Sequence, residues 1–227
     1  MAPVTTEIRL ACWVDKWIMW FAPEAERTDT NLLLYPNYDS AMFLAYLTIV
    51  PSMAYFVFSI ETSFFEKYLK FFGDIQKKAN YRKIVSNHEN IISVMIASSR
   101  NFLILQASIC IAVILLSPHI FESLRVNYLQ ISIFRYGVLG ALFHVMIMFL
   151  TILLSYFDNR KATLHIQFLF LLTNSIFTYI SMKMGFEYYG YGYFLSCVTV
   201  FVVAAFTVAH YINKLPYHTF ITSNTSV

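Results

Sequence analysis

Charge is what this chain has least of. Asp, Glu, Lys and Arg make up 13% of its 227 residues, against about 25% in a soluble domain. That scarcity argues against a soluble enzyme or binding module. Cysteine is sparse too. Cys12, Cys110 and Cys197 each lie inside an apolar run. An odd number of such thiols excludes a disulfide framework and a cysteine metal cluster, so they read as small packing residues. The motifs of soluble enzymes are missing: there is no P-loop, HExxH, GxSxG or CxxC. No catalytic residue, cofactor or metal is called for. The basic residues adjoin apolar spans and form no stripe, so nothing points to nucleic acid as a partner. The chain has no low-complexity run and no internal repeat.

What the chain does have is apolar length. Hydrophobic residues make up 58% of it and its mean hydropathy is +0.58. The excess is spread over several runs, so one signal peptide or anchor does not explain it. The composition predicts an all-α polytopic membrane protein. Its organising stretch is Tyr38–Glu61, apolar from Ala41 to Ile60, close to the roughly 20 residues that cross a bilayer as a helix. Pro51 near its middle predicts a bend. An acidic loop, 23–39, precedes it. A basic, aromatic segment, 62–90, follows, with Lys67, Lys70, Lys77, Lys78, Arg82 and Lys83.

The other runs fall into place around that span. Residues 5–22 form a first helix with Glu7, Arg9, Asp15 and Lys16, and with Trp13, Trp17 and Trp20 on one face. Four more spans are expected over 91–117, 131–156, 164–182 and 193–212, with Pro118 ending the third. Hence about six spans are expected, and the excess of Lys and Arg in alternate loops sets both termini in the cytoplasm. The expected division is 1–61 (two helices and the outer loop), 62–90 (a cytoplasmic amphipathic segment), 91–212 (four helices) and a tail, 213–227. Within 62–90, Glu66–Lys70 and Asp74–Lys78 form acid-first pairs one turn apart. The segment suits the cytoplasmic interface or a docked partner.

Charge at membrane depth is costly and marks candidate function. Lys16 is the deepest basic residue, with Asp15 beside it. Arg9, Arg100 and Arg135 sit nearer span ends, where they can reach the headgroups. Asp15 and Lys16 point about 100° apart on a helix, so each needs a partner elsewhere. The candidate substrate path is Trp13, Asp15, Lys16, Trp17, Tyr46, Tyr55 and Arg100. Lys67, Lys70, Lys77 and Lys78 are the candidate partner-docking residues. His144 and Asn174, at mid-depth, are expected to bond between helices.

Four blocks carry a family resemblance. They are WVDKWIMWF at 13–21, YPNYDSAMFLAYLTIVPSMAYF at 35–56, SIETSFFEKY at 59–68 and LPYHTFI at 215–221. Together they resemble the PelG family, the polytopic inner-membrane component of the bacterial Pel exopolysaccharide system. The resemblance implies a multidrug/oligosaccharidyl-lipid/polysaccharide-type transporter, of which this chain looks like the C-terminal half. It implies a bacterial inner membrane location and export of an N-acetylgalactosamine-rich polymer. A cytoplasmic glycosyltransferase, other Pel-type membrane subunits and a missing N-terminal half or partner bundle are the implied partners. A largely uncharged acetylated polymer favours tyrosine and tryptophan contacts over an anion cavity. The alternatives are a scaffold that anchors the glycosyltransferase and moves nothing, or a truncated, inactive fragment.

Overall fold

The computed structural model describes residues 2–29, 31–59, 62, 64–77, 79–124, 127 and 130–215, with the backbone alone at 2–10, 59 and 81. The side chains of Glu7 and Arg9, together with Glu61, Lys78 and the tail from 216, lie outside the described residues. In chain order the elements are α1 (Ala2–Met19), β1 (Glu26–Arg27), β2 (Leu33–Leu34), α2 (Pro36–Leu47), α3 (Val50–Ser59), α4 (Phe65–Gln76), α5 (Tyr81–Leu124), α6 (Ile131–Tyr156), α7 (Arg160–Met184) and α8 (Tyr191–Asn213), with a 3₁₀ turn at Phe186–Tyr188 before α8. Strands β1 and β2 pair antiparallel, Glu26 opposite Leu34. This is an all-α polytopic membrane protein. Among the described residues five segments are long and apolar enough to cross a membrane: 36–58, 82–124, 131–156, 160–184 and 186–213. Helix α1, with its four charged residues, packs beside them on α7.

Helix α6 is the centre of the bundle. It is buried along 72% of its most apolar window, against 17% for α5. It packs against α8, α2 and α5 and, to a smaller extent, α7. Glycines let its neighbours come close, as small residues do where lipid supplies no hydrophobic drive. A Cβ at Gly137 would stand 2.8 Å from that of Ala45, and one at Gly140 would meet the Tyr193 ring. Gly192 on α8 lies against the Phe177 carbonyl of α7.

Several expected boundaries are corrected. Residues 36–39 are not loop but the first turn of α2. Pro36 stands at the start, where its missing N–H is no loss, and Asp39 is in the first turn, where the helix dipole favours an anion. Pro118 does not end the third span. It lies inside α5, which runs for 44 residues, about 66 Å at 1.5 Å per residue. The carbonyl that Pro118 leaves without a donor is that of Ile114, and the Ser117 hydroxyl donates to it at 2.7 Å. The helix continues because the orphan is satisfied. Residues 81–90, expected in the amphipathic segment, are the polar start of the same helix. Arg160 and Lys161, expected in a loop, open α7, whose N-cap Asn159 accepts from the Ala162 amide.

The organising span is interrupted. Helix α2 stops at Leu47 and α3 starts at Val50. Between them Thr48 and Ile49 bond back to Ala45 and Tyr46 carbonyls, and the Thr48 hydroxyl adds a 2.6 Å bond to Ala45 O. Pro51 follows in the first turn of α3.

Helix α4 is clamped to α5. Asp74 Oδ1 accepts from Lys83 Nζ at 2.9 Å and Oδ2 from the Asn87 amide at 2.6 Å. Those bonds, with Lys83 first among them, hold the Asp74 carboxyl below the usual range. Glu66, expected to pair with Lys70, instead meets Lys67 at 3.2 Å.

Two predictions follow from this packing. Gly192→Ala drives a methyl into α7 backbone, so it lowers the unfolding temperature in detergent by several degrees. Gly73→Ala, where nothing lies within 4 Å, is neutral or stabilising by up to about 1 kcal/mol. Because the Asp74 carboxyl is depressed, the α4–α5 clamp holds fully above the ordinary carboxylate range and is lost as pH falls through the depressed value. Hydrogen exchange of α4 amides across an acid titration should show that release, and Asp74→Asn should show it already at neutral pH.

Candidate functional site

A cavity of about 490 Å³ opens between α1, α2 and α6, within the size range of about 300–1,000 Å³ of small-molecule sites. Cys12, Trp13 and Lys16 of α1 line it, with Asp39, Phe43 and Tyr46 of α2, Ile49 at the break, and His144 and Met148 of α6. The spacing is helical on every wall: 12/13 and 16, 39, 43 and 46, 144 and 148.

Lys16 is the pivot of the cavity. It is 8% exposed. Its ammonium lies 4.8 Å from the Trp13 ring centroid and 4.7 Å from that of Tyr46. Each such contact contributes about 2 kcal/mol when desolvated. No carboxylate pairs with Lys16 among the described residues. Its sequence neighbour Asp15 is fully buried on a different face, where Tyr38 donates to Oδ2 at 3.1 Å. The two charges thus find separate partners on α2, as their angular separation requires.

A second layer of bonds fixes the walls. His144 joins Tyr193 Oη at 2.8 Å through Nδ1 and lies 3.5 Å from Cys12 Sγ through Nε2. Asn174 donates to the Ala11 carbonyl at 3.1 Å and accepts from Thr178. The Trp20 indole donates to Asp39 Oδ2 at 3.0 Å. Asp39 Oδ1 is buried with no hydrogen-bond partner among the described residues, and the Tyr46 ring lies edge-on to that of Tyr193. The cavity therefore offers a half-exposed indole face, an apolar floor and an ammonium. A sugar finds there a ring to stack on and a donor beside it.

A tyrosine cluster packs at the start of α2. Tyr35 and Tyr38 stack 6.3 Å apart, and Tyr35 meets Tyr189 edge-on at 6.1 Å. Tyr189 donates to Glu24 at 2.6 Å. Burial and the Glu24 carboxylate push the Tyr35 phenol up to about 12, so it stays neutral.

Of the expected path residues, Trp13, Lys16 and Tyr46 come together in the cavity. Asp15 lies behind its wall. Trp17 points outward at 39% exposure and does not line it. Tyr55, on α3, packs at the edge of the core elsewhere. Arg100 is exposed on α5, a helix that contributes nothing to the cavity. Asp39, Phe43, His144 and Met148 were not expected in the path. The i, i+4, i+7 run of 39, 43 and 46 is the signal that finds the first two. Of the docking residues, Lys67, Lys70 and Lys77 lie on or just after α4, beside exposed Phe65 and Leu69, and Lys78 is outside the described residues.

The PelG family model, whose description is "Putative exopolysaccharide Exporter (EPS-E)", matches residues 3–220. The chain belongs to the PelG family. No curated protein and no solved structure matches it. The PelG match takes in α1, α2 and α6, so all three walls of the cavity lie within it.

The Tyr38 bond gives a test of the walls. Tyr38→Phe removes the side-chain donor to buried Asp15 and costs about 1–3 kcal/mol, read as a lowered unfolding temperature in detergent. Tyr35→Phe removes a hydroxyl that bonds nothing among the described residues and should leave that temperature close to wild type.

Proposed function

We propose that this PelG-family protein moves exopolysaccharide across the bacterial inner membrane, with the polymer passing along the α1–α2–α6 cavity. The observation that carries this reading is Lys16 held between Trp13 and Tyr46 on the cavity wall. A polymer rich in N-acetylgalactosamine is the substrate that fits best. Its rings stack on Trp13 and its acetamido carbonyls accept from Lys16. The exposed indole can slide past successive sugar units, because stacking is tolerant of register. The chain works in this reading beside a cytoplasmic glycosyltransferase and other Pel-type membrane subunits, with a second bundle closing the cavity's open side. The bias of Lys and Arg toward alternate loops supports cytoplasmic termini.

A second reading makes the chain a scaffold. Helix α4 favours it, since Phe65 and Leu69 are exposed next to Lys70. The two readings part in one experiment. Trp13→Ala, Lys16→Met and Tyr46→Ala should each cut polymer secretion tenfold or more while the membrane complex still co-purifies. Triple replacement of Lys67, Lys70 and Lys77 by Gln should leave secretion within twofold. If the triple variant loses the complex and the cavity variants secrete normally, the chain is a scaffold and the export path lies elsewhere.

A further inference from the structure

Helices α7 and α8 leave a groove between them that shares no residue with the α1–α2–α6 cavity. Two hollows, of about 410 Å³ and about 420 Å³, adjoin along it, and Thr207 lines both. Toward mid-membrane the walls are apolar, with Leu169, Leu172 and Val203. Phe168 and Phe206 line it and are exposed, so the groove opens on the outer surface of the bundle. The other end is polar. Asn159 and His210 line it there, and His165 stands part-way along.

That polar end is also cationic. Arg160 is held by Asp158 at 2.7 Å. From Asn159 to Lys214 the sequence has one carboxylate, Glu187, in the turn at the opposite end of both helices. Lys161 lies one turn before His165 on α7 and is exposed, as are His165 and His210. None of the three has an ion pair or hydrogen bond among the described residues. Ionisable side chains on a surface that faces lipid are costly unless something pairs with them. An apolar protein partner would leave them unpaired, whereas a phosphate accepts from an ammonium and from imidazole N–H groups alike.

The length of the groove narrows the choice further. Leu172 follows Lys161 by eleven residues, about 16 Å along α7 at 1.5 Å per residue. One leaflet of a bilayer holds about 15 Å of hydrocarbon, half of the roughly 30 Å core. The groove thus runs from headgroup level to mid-bilayer, polar where a lipid is polar and apolar where it is apolar.

We propose that this groove is a binding site for one anionic phospholipid of the leaflet at that end. Its acyl chain lies along Phe168, Leu172, Val203 and Phe206, and its phosphate sits between Lys161 and His210 with His165 below. The site is independent of the export path and does not rest on it.

The test places the full chain in phosphatidylcholine vesicles with a trace of spin-labelled phosphatidylglycerol or spin-labelled phosphatidylcholine. Electron paramagnetic resonance then reads the fraction of each label immobilised on the protein. Phosphatidylglycerol should be held in preference. Lys161→Gln should cut that preference about fivefold, the effect of one basic side chain near an anionic lipid, and Lys161→Arg should restore it. Lys161→Gln with His210→Gln should abolish it, at an unfolding temperature in phosphatidylcholine close to wild type, since neither side chain bonds the protein. Replacing Lys67, Lys70 and Lys77 of the α4 region by Gln should leave it intact. Equal retention of the two lipids by the wild-type chain overturns the proposal. So does a preference that survives the Lys161–His210 double variant, or one that is lost with the α4 lysines instead.

Discussion

Lys16 brings a full charge into a bundle from which water is largely excluded, and its neighbours meet it with aromatic faces. The arrangement depends on where the elements bring their side chains. Helix α1 places Trp13 one turn before Lys16 on the same face. Helix α2 delivers Tyr46 from the other side, and α6 backs both with His144 and Met148. Asp15 is turned away to Tyr38. Had the two neighbours paired, the ammonium would be spent internally and the cavity would present only apolar wall. Because they do not, the cavity keeps a donor whose affinity is unspent. The rest of the packing serves that geometry: the glycines that let α2 and α8 approach α6, and the Asn174 bond that anchors α1 to α7.

Much of this architecture was legible from residue order. The span at 131–156 has the same ends in the sequence and in the fold, because its apolar run is long and Asp158, Asn159 and Arg160 follow it closely. Glu7, Arg9, Asp15 and Lys16 marked the first helix as one that needs protein around it, and α1 lies along α7. The error at Pro118 has a clear cause. Proline breaks a helix through the carbonyl it strands as well as through its own ring. In α5 Ser117 stands ready to cap that carbonyl, and Arg135 Nε donates to Ser117 in turn at 3.1 Å. A residue-by-residue scan counts the proline and overlooks the serine beside it.

The cavity was legible in part for a similar reason. Trp13, Lys16 and Tyr46, which meet in it, were singled out because charge and aromatic rings stand out against an apolar background. Tyr55 was grouped with Tyr46 on the expectation that a bend at Pro51 turns both toward one cavity. The break at Thr48–Ile49 resets the helical phase between them, so spacing across it carries no facing information. Arg100 was included as a charge within an apolar run, and charge does not say which way a side chain points. Asp39 was assigned to a loop and so was not weighed as part of a wall. His144 was expected to bond between helices, and it does so at the cavity's edge.

The interruption at Thr48–Ile49 also divides the organising span between two sets of neighbours. Helix α2 packs on α6, the most enclosed member of the bundle. Helix α3 packs mainly on α5, where Phe56 meets Phe102 at 5.8 Å. Helix α5 in turn carries α4 and itself packs on α6, and Phe56 of α3 also meets Phe149 of α6. Both halves of the organising span are thus tied to the same central helix, one directly and one largely through α5. The span changes partners at Thr48–Ile49, and Ile49 lines the cavity. The shape of the cavity floor is therefore set where two packing surfaces of the bundle meet.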